Sequence, residues 1–308
     1  MKKKFFLGLD PGFSDVKYAY RKDEKMEMGK FPSVVAKTKH YAPDLIYYNG
    51  DYYYVGSAAR LQPNETIQEI RDYASLRKHI PVLVTEVLKR IEIDPEEYDI
   101  TIATGLSLAH ENNSNEFKDT LSNFSVDNKD IKLNVLLLPQ GFGAMKTLMN
   151  VKETRIYENF GIIDNGFNTL DVLIAINKEV RVDRLRGYEG RGVIGIAEKI
   201  KSHIHTMFHR SISIKEAADI MNTGSYKLRG KTHDMTHIVK KMKEEYTKEF
   251  MDFLEKNYGN ELDKFDVFFF VGGGAYFIDE RYADNIKVVK KPEYYNAIGN
   301  LLHAEQKR

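Results

Sequence analysis

Residues 5–20, FFLGLDPGFSDVKYAY, and residues 161–176, GIIDNGFNTLDVLIAI, carry one pattern twice. Each is an apolar run, then Asp-x-Gly-Phe with a small polar residue, then a second run of strand-type composition. Two such runs joined across a glycine-bearing turn predict a β-hairpin. The aspartates that open the turns, Asp10 and Asp164, stand half a chain length apart. A hairpin repeated at that distance predicts two similar lobes, each beginning with the same element.

Working outward from the first hairpin, residues 29–35, 44–48 and 52–55 read as extended. Val84, Val87, Leu88 and Ile91 recur at helical spacing and predict a helix over residues 81–91. Strands are expected at 99–103 and 135–138. Pro139-Gln140-Gly141-Phe142-Gly143 then leads into a helix over 144–150. Beyond the second hairpin, residues 180–186 read as a strand, and the glycine-broken turn GYEGRG at 187–192 precedes a helix over 193–208. Residues 215–221 and 237–258 are helical in pattern, the latter with the alternating charge of a solvated face. The run VFFFV at 267–271 suits a strand covered on both faces. Gly272, Gly273 and Gly274 end it, and residues 296–305 close the chain as a helix. Strands alternating with helices predict an α/β protein. No Pro-, Gly- or Ser-rich linker separates the halves, so the lobes are expected to share a close interface.

The 308 residues suit two lobes at roughly 100–200 residues per domain. With 42% apolar and 30% charged residues the chain is globular in composition. Its 46 basic and 45 acidic side chains leave a net charge of +1, too near neutral for a protein whose whole surface grips nucleic acid. The absence of cysteine excludes disulfides, thiolate zinc sites, iron–sulfur clusters and cysteine nucleophiles. Chemistry is left to oxygen and nitrogen groups. The opening MKKKFFLGLD resembles a signal peptide only until its short apolar run stops at Asp10. No stretch reaches the roughly 18 uninterrupted apolar residues of a membrane span. A cytoplasmic protein without a membrane partner is expected.

The doubled hairpin suits a nucleoside triphosphate, which needs backbone N–H groups at close range, a cation, and something to hold that cation. The Gly12 and Gly166 turns offer amides. Asp10 and Asp164 offer oxygens to Mg²⁺, which keeps several waters and takes few carboxylates. Lys17, on the second strand of the first hairpin, can reach phosphates as a point charge. Ser14, Asn168 and Thr169 add hydroxyl or amide donors. Asp before Gly more often just shapes a turn; two copies at half-chain spacing favour a site.

Five segments, LGLDPGFSDVKYAY, LPQGFGAM, GIIDNGFNTLDVLIAI, FFFVGGGAYF and YNAIGNLL, lie between residues 5 and 302. Their order and approximate spacing resemble the nucleotide-binding segments of the superfamily that holds actin, the DnaK-type chaperones and the sugar kinases. The Asp-x-Gly-Phe hairpin, the length and the YYVG element at 53–56 look most like the ParM-type plasmid-segregation actins and their archaeal relatives. The resemblance implies two similar actin-like (RNase H-like) α/β lobes flanking a nucleotide cleft. Lobe I would be 1–155 plus 292–308, with a small insertion at about 30–80. Lobe II would be 156–291, with a helical insertion at about 200–264.

It also implies a Mg²⁺-dependent ATPase or GTPase. Asp10 and Asp164 would serve the Mg²⁺ waters, and Gly12, Phe13, Ser14 and Lys17 the phosphates from one side. Gly166, Asn168 and Thr169 would serve them from the other. Gln140 would orient the attacking water, where a neutral amide does not repel the γ-phosphate. Gly192, Glu198 and Lys199 would lie toward the ribose, and Gly272, Gly273 and Gly274 against adenosine, leaving room for a flat base. The implied partners are further copies of the chain in a filament and a small DNA-binding adaptor at a centromere, with no direct nucleic-acid contact.

The chain departs from the pattern at Phe13 and Phe167, where many relatives have small residues, and at Pro11, which removes an N–H. Fewer amides then face the phosphates. A small-molecule kinase of the same superfamily and a non-hydrolysing scaffold are the rival readings; the first lacks an identifiable carboxylate base. A DnaK-type chaperone is disfavoured because no peptide-binding domain precedes Arg308. Residues 224–232, GSYKLRGKT, imitate a P-loop with the wrong glycine spacing. His233 and His237 have zincin spacing, but Asp234 replaces the glutamate base. His203, His205 and His209 do not share one helical face. Met26, Met28 and the tyrosines at 52–54 are expected to pack or make contacts.

Overall fold

The computed structural model describes residues 2–151, 154, 156–278 and 282–307. Strands β1 (Lys3–Pro11), β2 (Asp15–Lys22) and β3 (Lys25–Pro32) open the chain. A small insertion follows, with β4 (Val34–Thr38), β5 (Ile46–Tyr48), β6 (Asp51–Val55) and β7 (Ile67–Glu69). Helix α1 (Tyr73–Arg90), β8 (Tyr98–Leu106), α2 (Ser114–Ser122), β9 (Asn123–Val126), β10 (Lys129–Lys132), β11 (Asn134–Pro139) and α3 (Phe142–Asn150) complete the first half. The second half starts with β12 (Phe160–Asn165), β13 (Thr169–Ile176), β14 (Glu179–Val180) and β15 (Arg186–Glu189). Then come α4 (Ile194–Phe208), α5 (Ile214–Thr223), β16 (Ser225–Leu228), β17 (Lys231–Asp234) and α6 (Thr236–Lys264). Strands β18 (Val267–Val271) and β19 (Ile286–Val288) precede α7 (Tyr295–Gln306).

Two central sheets repeat one topology. In the first the order is β11-β8-β1-β2-β3; in the second it is β14-β13-β12-β18-β19, with β15 beside β13. In both, a hairpin pairs antiparallel and its first strand pairs parallel with a later strand. The register carries the repeat to single residues: Asp10 lies opposite Lys17, and Asp164 opposite Asp171.

Alternation along the strands decides what covers each face. Phe268 and Phe270 join the cluster under α4, α5 and α6, while Val267, Phe269 and Val271 pack under Ala144 and Leu148 of α3. Burying Phe268 or Phe270 fully contributes about 1.5–3 kcal/mol each. In the first sheet Leu7 and Leu9 meet α1, and Gly8 between them faces α7 so closely that a Cβ would overlap the Ala297 carbonyl. Helix α3 therefore follows the first sheet in sequence but packs on the second. The boundary expected at residue 155 falls on Arg155, outside the described residues, as do Met1 and Arg308 at the chain ends.

Several elements differ from the sequence reading. Helix α1 starts at Tyr73 because Asp72 and Ser75 form a capping box, and Pro81 lies inside the helix, where Thr85 Oγ1 donates to its carbonyl at 2.8 Å. The expected strand at 180–186 is broken by a 3₁₀ turn, Val182–Arg184, and resumes as β15. Helix α2 and the β9–β10 hairpin were not expected. The P-loop imitation is the β16–β17 hairpin, turning at Arg229 and Gly230 with positive φ. No helix among the described residues is long and apolar enough to cross a membrane.

Candidate active site

The turns after β1 and β12 meet across a cavity of about 330 Å³ between the two sheets. Asp10 and Asp164, at the strand ends, are 6% and 4% exposed. Gln140 stands between them in the turn from β11 to α3, where Gly141 takes the left-handed conformation (φ 89°) that reverses the chain. Its Nε2 donates to Asp10 Oδ1 at 3.2 Å and to Asp164 Oδ2 at 2.9 Å. Two carboxylates that share one nitrogen attend the same point in space. The Gln140 amide takes this position against residue 105, a glycine at the end of β8: a Cβ there would stand 2.5 Å from Gln140 Oε1, and the amide would have to move.

The site holds unbalanced negative charge. Lys17 Nζ lies 3.8 Å from Asp10 Oδ2. Burial, and then the charge of Asp10, pushes the Asp164 carboxyl up to about 6, against hydrogen bonds from Asn296 and Gln140. Asp171 takes the register position that Lys17 holds in the first lobe, with the opposite charge. Burial and then Asp164 push it up to about 7, although it accepts hydrogen bonds from Leu108 N at 2.8 Å and Ser107 Oγ at 2.9 Å. A divalent cation would relieve such a cluster. Among the described residues no three His, Asp or Glu form a ready cage. Two convergent carboxylates without a cage fit Mg²⁺, which retains water and shares its shell with phosphate, better than a fully protein-bound metal.

The structure sorts the expected contact residues. Gly12, Phe13, Ser14 and Lys17 line the cavity from the first turn, and Gly166 and Thr169 from the second. Gly12 N and Gly166 N are spent closing their own turns, on Asp15 O at 3.1 Å and Thr169 O at 2.9 Å. Neither glycine has positive φ among those that do. A Cβ at Gly12 would stand 2.8 Å from Lys17 Nζ and 3.0 Å from Asp15 O, so Lys17 could not keep its place.

Asn168 points away from the cavity and donates to Arg71 O at 3.1 Å, tying the second turn to the segment before α1. Gly192 also lies off the cavity. It packs against the carbonyls of Gly166 and Phe167, where a Cβ would collide, and so holds the turn. Glu198 and Lys199 do not reach the cavity: α4 buries Ile196, Ala197 and Ile200, which turns Glu198 to solvent and Lys199 toward Glu249, 2.9 Å away. Gly272, Gly273 and Gly274 all line the cavity, and of these three only Gly273 has open space where a side chain would go. A Cβ at Gly272 would meet Asp164 Oδ1, and one at Gly274 the Asn165 amide. The first and third are glycine for the protein's own packing.

Sequence reasoning missed Gly105, Asn296, Asp171 and a cluster at the cavity mouth. In that cluster Lys30 Nζ donates to Glu293 Oε1 at 2.9 Å and Tyr276 OH to Glu293 Oε2 at 2.7 Å. Asn296 lay within the YNAIGNLL segment, but its partner, Asp164, is visible only in three dimensions.

A family model for the N-terminal domain of actin-like proteins matches residues 8–143, and one for the C-terminal part of the archaeal MreB-like actin homologue matches residues 162–284. Comparison with curated proteins gives no match. Among solved structures, a non-polymerisable quadruple mutant of pCBH ParM superposes with a TM-score of 0.80 at 22% identity, covering 99% of this chain and 100% of that one. A 15-stranded ParM filament from Clostridium botulinum gives 0.80 at 21%, over 99% of each chain. An archaeal actin homologue in complex with ADP gives 0.76 at 19%, over 98% of this chain and 99% of that one. At these identities the likeness is one of fold. With the actin-like model on the first half, the archaeal model on the second, and the same hairpin-led sheet in both, the chain belongs to the actin-like proteins.

Proposed function

We propose that the chain is a Mg²⁺-dependent nucleoside triphosphatase, using ATP or GTP, that assembles into filaments and disassembles after hydrolysis. The observation that carries this is the single amide, Gln140 Nε2, hydrogen-bonded to one carboxylate from each sheet at 3.2 and 2.9 Å. Asp10 and Asp164 would hold Mg²⁺ through water, and Lys17 and the two turns would bind the phosphates. The metal, once bound, would neutralise charge on the phosphates during transfer. With Nε2 fastened to both carboxylates, the amide plane of Gln140 is fixed and its Oε1 can accept a hydrogen from the attacking water. Most of the acceleration in such a site comes from positioning and charge stabilisation. Because the carboxylates come from opposite lobes, a bound triphosphate would hold the lobes together, and loss of the γ-phosphate would release part of that hold.

The likeness to ParM supports self-assembly and a role in moving plasmid DNA through a small DNA-binding adaptor. The net charge of +1 agrees with a protein that leaves DNA contact to such a partner. The test is phosphate release, light scattering and pelleting with ATP, GTP, ADP and no nucleotide, each with and without Mg²⁺. Release and assembly only with magnesium triphosphate are expected. Assembly under no salt or protein concentration would overturn the filament part. Binding without phosphate release would favour a scaffold, and release strictly dependent on an added sugar a kinase.

A further inference from the structure

Asn296, in the first turn of α7, is 4% exposed and uses both ends of its amide. Its Nδ2 donates to Asp164 Oδ2 at 2.6 Å, and its Oδ1 accepts from Ala144 N at 3.1 Å. Asp164 Oδ2 thus takes two amide donors, Asn296 and Gln140. Ala144 lies in the first turn of α3, which Gly141 joins to Gln140. One turn farther along α7, buried Asn300 donates to Leu9 O at 2.9 Å, the carbonyl just before Asp10. Positions four apart share one helix face, so that face offers an amide to each of the two acid-bearing strands.

The helix cannot shift to let these groups move. A Cβ at Gly8 or Gly299 would overlap the Ala297 or Gly143 carbonyl, and one at Gly143 would stand 2.6 Å from the Asn296 carbonyl oxygen. Backbones in such close contact fix α7 against β1 and α3.

We propose that Asn296 is a positioning residue for the nucleotide chemistry: it fixes Asp164 Oδ2, and through that oxygen the amide plane of Gln140. The assignment rests on the nucleotide reading above. Without the Asn296 donor, Asp164 would be free to turn, and Gln140 would lose a defined anchor on the second lobe. A hydrogen bond to a charged group is worth enough for that loss to be felt in turnover.

Two substitutions separate this role from a structural one. Asn296→Ala removes both bonds. Asn296→Asp keeps an acceptor for Ala144 N but loses the donor and sets a second carboxylate against Asp164. For the wild type and both variants, the measurements are the affinity for a fluorescent ATP analogue with Mg²⁺ and with EDTA, the kcat of phosphate release, and the melting temperature. Both variants are expected to keep metal-free affinity within about twofold, to lose most of the gain in affinity that Mg²⁺ brings, and to lose roughly 10- to 100-fold in kcat, with the aspartate worse.

A structural role predicts the reverse order, with aspartate near wild type and alanine impaired; that order overturns the assignment. Should the aspartate variant not fold, alanine still decides. A fall in kcat with metal-free affinity kept supports positioning, and unchanged kcat and Mg²⁺ dependence overturn it. If the wild type binds neither ATP nor GTP, the nucleotide reading falls and this assignment with it. If the wild type turns over and both variants match it, the Asn296 assignment falls alone.

Discussion

The role proposed for Gln140 requires its amide to be held in one plane, and that depends as much on glycine as on the carboxylates. Nε2 is fastened by Asp10 and Asp164, while Oε1 occupies the space that the missing Cβ of Gly105 leaves. A methyl group there must push the amide off at least one carboxylate. Gly105→Ala is therefore expected to resemble Gln140→Ala, with phosphate release slowed by roughly 100-fold, the size of effect of removing one positioned group, and nucleotide binding retained. Steady-state release alongside equilibrium binding checks this; full turnover in Gly105→Ala would mean that Oε1 needs no such space. The carboxylates and Gln140 were legible in the sequence because each sits at the end of an apolar run in a repeated or recognisable segment. Gly105 was not, because its reason is a side chain 35 positions later. Gly272 and Gly274 line the cavity, yet the space beside them is taken by Asp164 and Asn165: a missing side chain makes room for something, and the sequence does not say whether that is a ligand or the chain itself.

Elements were legible where periodicity and burial coincide. Both hairpins, the VFFFV strand and α7 stand where their patterns put them, since each buries a whole face. Helix α2 and the β9–β10 hairpin escaped because their runs are short and mostly exposed. The partners of an amphipathic helix escaped more generally: the pattern gives α3 one apolar face but cannot say that the face belongs to the second sheet. That placement rests on the crossing of α3 and α7, where Gly143 and Gly299 touch backbone to backbone. Replacing Gly299 with alanine would gain about 0.5–1 kcal/mol of helix propensity. It would also drive a methyl group into the Gly143 carbonyl, an overpacking that costs about 1–3 kcal/mol or more. The second effect wins because backbone cannot step aside as a side chain can. Gly299→Ala should lower the urea midpoint with little change in slope, and an unchanged or raised midpoint would show that the helices separate freely.

At the scale of the whole molecule, the two lobes are joined around the cavity as well as beneath it. Glu69, at the end of the small insertion, accepts from Lys215 N in the first turn of α5 at 3.0 Å, and Asn168 reaches Arg71 O at 3.1 Å. Deeper in, Asp171 of the second sheet accepts from Ser107 and Leu108 of the loop after β8. This last joint carries a pH dependence whose sign follows from its carboxyl. Burial raises Asp171 from 3.8 to about 7, so the folded chain binds this proton more tightly than the unfolded chain does. Stability from this group is then greatest below about pH 4 and is lost as pH rises toward 7, the reverse of a salt-bridged aspartate. Asp171→Asn keeps an oxygen for the Ser107 and Leu108 donors and carries no charge at any pH. The asparagine variant should therefore gain on the wild type as pH rises, its advantage in melting temperature being a few degrees larger at pH 8 than at pH 5.5, where part of the stability is already lost, since ~1 kcal/mol moves a chain of this size by ~1.5 °C. Calorimetry at the two pH values decides the matter: an equal difference at both would mean that Asp171 does not change its charge in this range, and that the joint between the lobes is an ordinary ionised carboxylate.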